Sequence, residues 1–319
     1  MKQLKFKPKS RLREFLGEKF IALNAFAAVL AIILIFAFIF KEALPIFTDK
    51  KVQEEASVGK MVFKQEFYEG RDPKWSWQPN SDVPKYSLLP LVLGSLKAAL
   101  IAMLFAVPLG VGAAIYSAEF ASRRLREFVK PIIELLAGIP SVVLGFFALI
   151  VLATFLQRAF GFTFRLNAVN AGIALGLAVI PIVFTVAEDA MTSVPHSLRD
   201  AALALGANPW EVSVTVVLPA AMPGIAAGIV LGFGRAIGET MIVLMASGNA
   251  AIVSASLADS IRTISATIAA ELAEVVFSSP HYNVLFFLGT VLFMFTFIIN
   301  LGGDFILHRL RERFQGKTR

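Results

Sequence analysis

Residues 200–219 of this chain read DAALALGANPWEVSVTVVLP, a polar, helix-forming segment caught between the apolar runs Ala168–Ala187 and Ala220–Ala246. Its punctuation is local. Just upstream, Pro195 suits a first helical turn, and Gly206 suits the left-handed residue that ends a helix. Asn208-Pro209-Trp210-Glu211 then reads as a new start, with an asparagine N-cap, proline at the first position and glutamate at the third. The spacing predicts two short helices joined at Gly206, a compact knob between two membrane-length segments.

Composition leads to the same class. The 319 residues are 57% hydrophobic with a mean hydropathy of +0.72, too apolar for a soluble domain of ordinary surface. The apolar residues gather into blocks of roughly 20, enough to cross a bilayer. Six stand out: Phe20–Phe40, Leu88–Ile115, Ile132–Leu156, Ala168–Ala187, Ala220–Ala246 and Val284–Leu307. The first is long for a signal peptide and no A-x-A site follows before Lys41, so it reads as a retained helix.

A net charge of +7 invites a nucleic-acid reading, but its placement argues against one. Lys and Arg cluster in the tail to Lys19, in the Arg123–Lys130 loop and after Leu307, while 41–86 balances eight basic against eight acidic residues. By the positive-inside tendency the basic segments and the knob face the cytoplasm, and six spans put both termini there. Zero cysteines exclude disulfides and thiolate metal sites, and three scattered histidines make no metal site.

The expected organisation is a basic cytoplasmic tail (1–19), a first transmembrane helix (20–40), an extracytoplasmic loop (41–86), a five-helix core (87–307) and a basic cytoplasmic tail (308–319). The core carries its cytoplasmic loop at 188–219. Lys5, Lys7, Lys9, Arg11 and Arg13 are placed either to meet anionic lipid or only to set topology. In the outer loop, Trp75, Trp77 and Tyr86 either dock a partner or sit at the membrane interface. Ser256–Phe277 repeats apolar residues at helical spacing and predicts a helix at the outer face, as part of a gate or a passive lid.

Within the fifth block lie Arg235 and Glu239, near mid-membrane, where a lipid-facing charge costs several kcal/mol. Four residues apart, they share a helix face, separated by about 6 Å along the axis. One reading is a structural ion pair. The other is an anion pathway, in which Arg235 offers phosphate oxygens a planar fork. Glu239 would then repel a fully ionised anion yet accept a hydrogen bond from a protonated one, which favours phosphate over sulfate. Gly224, Gly228 and Gly232, with Gly234 and Gly238, recur at four-residue intervals, a device for close helix packing that fits an interface with a second membrane chain. Gly232-Phe233-Gly234 is no dinucleotide loop, because Gly238 falls one residue late and the segment is intramembrane. Pro140-Ser141 interrupts the third block, as a substrate-lining bend or a simple kink. Lys97 either snorkels outward or adds a second cation to an anion path. No G-x-x-x-x-G-K-[ST] is present, so any ATP hydrolysis belongs to another subunit. No cofactor is called for.

Asp200-Ala201-Ala202, Gly206, Val216 and Leu218-Pro219 match, spacing for spacing, the E-A-A, three, G, nine, I, one, L-P pattern of the cytoplasmic loop of ABC-importer permeases. Asp for Glu and Val for Ile are the departures. Gly234-Arg235-Ala236-Ile237-Gly238-Glu239-Thr240-Met241 and Glu134-Leu135-Leu136-Ala137-Gly138-Ile139-Pro140-Ser141 resemble segments of the phosphate-specific members. Of the two sister permeases of that importer, the long outer loop and Ile268–Glu274 lean toward one; before Leu88 the resemblance offers little. It implies an all-α polytopic membrane protein with a type I importer (MetI-like) core and no catalysis of its own. Asp200, Ala201, Ala202, Gly206, Leu218 and Pro219 would couple to an ATPase subunit. Arg235, Glu239, Thr240, Ser141 and Lys97 would line the substrate path. Implied partners are a homologous second permease, two ATP-hydrolysing subunits, an extracytoplasmic phosphate-binding protein and membrane lipid, with no nucleic acid. The rivals are a sulfate or molybdate permease and a non-transporting sensor or scaffold. An intramembrane enzyme lacks H-E-x-x-H and G-x-S-x-G.

Overall fold

The computed structural model describes residues 11–65 and 74–314. Lys5, Lys7 and Lys9 lie outside them. Among the described residues six helices are long and apolar enough to cross a bilayer: Phe15–Thr48, Leu89–Phe120, Ser141–Phe160, Ala168–Thr192, Pro209–Gly238 and Pro280–Phe305. These are the first to sixth spans below.

Two of the apolar blocks divide. Ile132–Leu156 is not one helix: an amphipathic helix, Arg123–Ala137, ends at Gly138, and Pro140 caps a new helix that begins at Ser141. Proline removes the N–H that would continue the ladder and restricts Ile139 before it. Ala220–Ala246 also breaks. The fifth span starts back at Pro209 and stops at Gly238, Glu239 is extended (φ −69°, ψ 132°), and a short helix, Met241–Ala246, follows.

The fourth span is the axis of the chain: 61% of its apolar window is buried, against none of the first span's. Small residues let its neighbours close on it. A methyl placed on Gly224, Gly228 or Gly232 would lie 2.4 Å from the Ala190 side chain, 3.1 Å from Val186 or 2.9 Å from Val179, all on the fourth span. The glycine stripe therefore joins two spans of this chain, not this chain to a second permease. Gly238 packs against nothing within 4 Å and is not part of the stripe. The first span leans on the sixth through Phe36–Phe293 and Phe38–Phe286 ring contacts.

At the end opposite the knob, the described residues between the first and second spans form a folded cap. Trp77 and Tyr86 pair across a two-residue antiparallel ladder and are buried, and the Trp75 indole donates to the Val62 carbonyl (3.1 Å). Trp77 and Tyr86 pack within the chain, and Trp75 is half-buried beside them. Trp77 donates to Glu271 (3.0 Å), which also pairs with Arg262 and His281 (2.9 Å to the latter). Burial pushes the Glu271 carboxyl up, but the hydrogen bonds from His281 and Trp77 and the Arg262 charge outweigh it, leaving it below the ordinary range. The expected helix over Ser256–Phe277 shrinks to Ile264–Glu271. Asp259 instead accepts from Ser254, and the Thr263 hydroxyl caps the helix start, so local polar side chains compete with the ladder.

Candidate transport pathway and coupling knob

The knob follows its local signals closely. Its free helix, His196–Ala204, is N-capped by Pro195, which stands outside the first turn rather than in it. Gly206 adopts φ +93°. Around it Ala207 N–H donates to the Ala202 carbonyl (3.1 Å) and Gly206 N–H to that of Leu203 (3.0 Å), the two bonds of a Schellman end. Asn208 and Glu211 then form a reciprocal capping box at 2.9 and 2.8 Å. The second half is no separate helix. Pro209–Val212 runs through a π turn, Ser213–Val217, into Leu218–Gly238, so Leu218 and Pro219 lie inside the fifth span. The tip is apolar and bare: Leu205 is 91% exposed, with Leu198, Leu203 and Trp210 open beside it. Asp200 and Ala201 are exposed, and Ala202 packs partly on the core below. A protruding apolar patch of this kind marks an interaction surface.

Beneath the knob sits a charge cluster whose pairing the sequence did not reveal. Glu188, nearly fully buried at the end of the fourth span, pairs with Arg126 (3.5 Å) and Lys130 (2.9 Å) of the amphipathic helix. Lys130 also meets Asp189 (3.0 Å). Its hydrogen bonds to Glu188 and Asp189 raise the ammonium pKa above its ordinary value, against the opposing effect of burial. Arg199 lies bidentate on Glu119. The available signal was Glu188-Asp189 closing an apolar run while Arg126 and Lys130 recur one helical turn apart.

The intramembrane site is built from two broken helices. Ser141 opens the third span, half-buried and one turn before Gly145. A methyl on Gly145 would lie 3.0 Å from the Met241 carbonyl oxygen, so the third span packs directly on the short helix after the second break. Discontinuous helices of this sort are tolerated only where protein or a water-lined cavity satisfies the freed backbone. At that break the Ser265 hydroxyl donates to the Glu239 carbonyl (2.8 Å), the Glu239 carboxylate accepts from Ile242 N–H (3.5 Å), and Thr240 donates to the Gly238 carbonyl (3.3 Å).

The expected i, i+4 pairing of Arg235 with Glu239 is not present. The helix ends between them, and Glu239 turns to the start of the next one. Arg235, one turn before the break, is exposed and makes no hydrogen bond or ion pair among the described residues. Lys97 also departs from expectation. Its ammonium donates to the Ser254 (2.6 Å) and Ser256 (3.0 Å) carbonyls, so it clamps the far-end loop instead of snorkelling or standing free for an anion.

The chain matches, over residues 106–315, the family described as binding-protein-dependent transport system inner membrane component. It is 36% identical over 227 residues to the probable ABC transporter permease protein YqgH of Bacillus subtilis, covering 71% of this chain and 73% of that protein. To the phosphate transport system permease protein PstC of Mesorhizobium japonicum it is 35% identical over 257 residues, covering 75% and 78%. In fold it resembles a bacterial ABC transporter involved in import of the acidic polysaccharide alginate, with a TM-score of 0.62 at 15% identity over 94% of this chain and 99% of that one. The inward-facing MetNI methionine ABC transporter gives a TM-score of 0.55 at 18% identity, over 70% and 97%. With its six membrane-length helices and its shared core, the chain is a multi-pass membrane protein that belongs to the binding-protein-dependent transport permease family.

Proposed function

We propose that this chain is the permease subunit of an ATP-driven importer that moves inorganic phosphate into the cell. One observation carries the reading: Arg235 sits in an apolar span beside a helix break and has no partner among the described residues. A guanidinium facing lipid within an apolar span is costly, so its place is a water-filled path or a protein interface. Its fork suits phosphate oxygens. Glu239, one turn on and past the break, accepts hydrogen bonds and repels a fully ionised anion, which favours a protonated oxyanion. Ser141 and Thr240 supply hydroxyls at the two breaks. The relatives named PstC support phosphate over other oxyanions.

In this reading the bare knob fits a cleft of an ATP-hydrolysing subunit, one per permease. A homologous second permease completes the path, and an extracytoplasmic phosphate-binding protein delivers the anion. Both termini are cytoplasmic, the basic N-terminal tail meets anionic lipid, and the chain itself performs no catalysis. Labelled-phosphate uptake in cells lacking the chain tests this. Uptake should fall and return with the intact chain, and Arg235→Gln should restore only a small part of it; full restoration by Arg235→Gln would end the pathway role.

A further inference from the structure

The knob is fastened to a span that it does not connect. The second span closes in a π turn, Tyr116–Phe120, and four of its five residues are engaged. The Ser117 and Ala118 carbonyls accept from Arg126 (2.9 and 2.6 Å). Glu119 takes two N–H groups of Arg199 at 2.8 and 3.3 Å, the pair being only 9% and 13% exposed. Phe120 stacks on Trp210, centroids 6.0 Å apart and planes 30° apart. Arg199 also donates to the Met191 (2.9 Å) and Val194 carbonyls, which locks the root of the knob. It immediately precedes Asp200, while Trp210 lies beyond Gly206, so both halves of the knob are tied to the same turn.

The other end of the second span is tied with equal care. Lys97 holds the Ser254 and Ser256 carbonyls, Ser95 accepts from Ile264 N–H (3.0 Å), and Gly94 lies against the Arg262 carbonyl, where a methyl would come within 2.1 Å. Ser265, next to Ile264, donates to the Glu239 carbonyl at the intramembrane break. One 27-residue helix, Leu89–Ile115, thus separates the knob contacts from the far-end segment that buttresses Glu239.

We propose that the second span is a pushrod, with Glu119 and Arg199 as positioning residues that pass the displacement of the knob to the break at Glu239. The proposal rests on the coupling role of the knob given above. The rod ends at the knob in a π turn, a form that recurs at functional sites. The ion pair is shielded, so salt screens it little, and Lys cannot replace the two-pronged grip of Arg199.

The test uses the assembled transporter in vesicles, loaded with binding protein and phosphate. Glu119→Gln keeps the shape of the side chain and removes its charge. Uptake should fall about tenfold, while basal ATP hydrolysis persists and loses its stimulation by loaded binding protein. Stimulation and uptake at the parental level would overturn the pushrod. Gly206→Val run alongside separates the two ideas: no effect of Gly206→Val removes the coupling role of the knob itself, whereas an effect there with none from Glu119→Gln removes only the pushrod. A second measurement leaves the Glu119–Arg199 pair intact and replaces the ring stack with a covalent tie. The chain has no cysteine, so Phe120→Cys with Trp210→Cys can be bridged cleanly by a short, reducible bifunctional thiol reagent. If knob and π turn move as one body, the bridged transporter keeps its uptake. Uptake abolished by bridging and returned by reductant would show that they slide past one another, and would overturn the proposal.

Discussion

The knob at 196–217 and the break at 238–241 are both interruptions of helix, yet they are held differently. In the knob, each interruption is made by its own neighbours: Gly206 takes the left-handed turn, and Asn208 and Glu211 cap one another three residues apart. At the break, no proline or left-handed residue forces Glu239 out of the helix. Its extended backbone is held by a hydroxyl 26 residues away in sequence, together with the packing of Met241 on Gly145. Local chemistry stops the first helix; at the second, the local contacts of Glu239 with Ile242 N–H and of Thr240 with the Gly238 carbonyl are joined by a tertiary one. A stop that depends on distant groups can also be released by them, which suits a part that must move.

The sharpest way to break this comparison is to remove the two charges that the break keeps apart. Had Arg235 and Glu239 been a structural ion pair, removing either would strand a buried charge, and removing both would largely rescue the protein. The observed geometry predicts otherwise. Arg235→Gln should assemble normally and lose uptake by roughly ten- to hundredfold, the scale of a hydrogen bond to a charged group. Arg235→Gln with Glu239→Gln should be no better. Near-parental uptake by the double variant would return the pair to a structural role.

Gly206→Val attacks the other region. A β-branched residue at φ +93° is strained by about 1–2 kcal/mol and turns the tip aside. The protein should still insert, because the spans are untouched, while uptake and stimulated ATP hydrolysis fall together by several-fold. Uptake lost with stimulation intact would place the damage in the path and not in the knob.

The contrast also explains what could be read from the chain alone. The six apolar blocks and the knob caps were legible because hydropathy and capping act over a few residues. The glycine stripe was legible as close packing, but its partner was not: Gly224 meets Ala190 within the same chain, and nothing in a four-residue repeat says which helix will fill it. Lys97 read as a stray charge because its two carbonyl partners lie 157 and 159 residues on. Glu119 went unnoticed for the same reason, with Arg199 80 residues downstream. The outer cap escaped because Trp77 and Glu271 meet across 194 residues.

The smallest expected effect sharpens the comparison most finely. Asn208→Ala removes one half of the capping box, in which Asn208 Oδ1 accepts from Glu211 N–H at 2.9 Å and Asn208 N–H donates to the Glu211 carboxylate at 2.8 Å. Loss of such a cap costs about 1 kcal/mol. The damage should stay local, because Pro209–Gly238 is one continuous helix anchored on the fourth span by Gly224 and Gly228. Hydrogen exchange should quicken at Glu211 and Val212 and remain unchanged from Ala221 onward, with uptake little altered. The Ser265→Ala variant removes the corresponding support of the break, the bond to the Glu239 carbonyl. If that tertiary contact helps to hold the break, exchange should change across Arg235–Ile242 as that segment shifts toward continuous helix. Equal, purely local responses to the two variants would mean that both interruptions are held by their neighbours, and the distinction between them would fall.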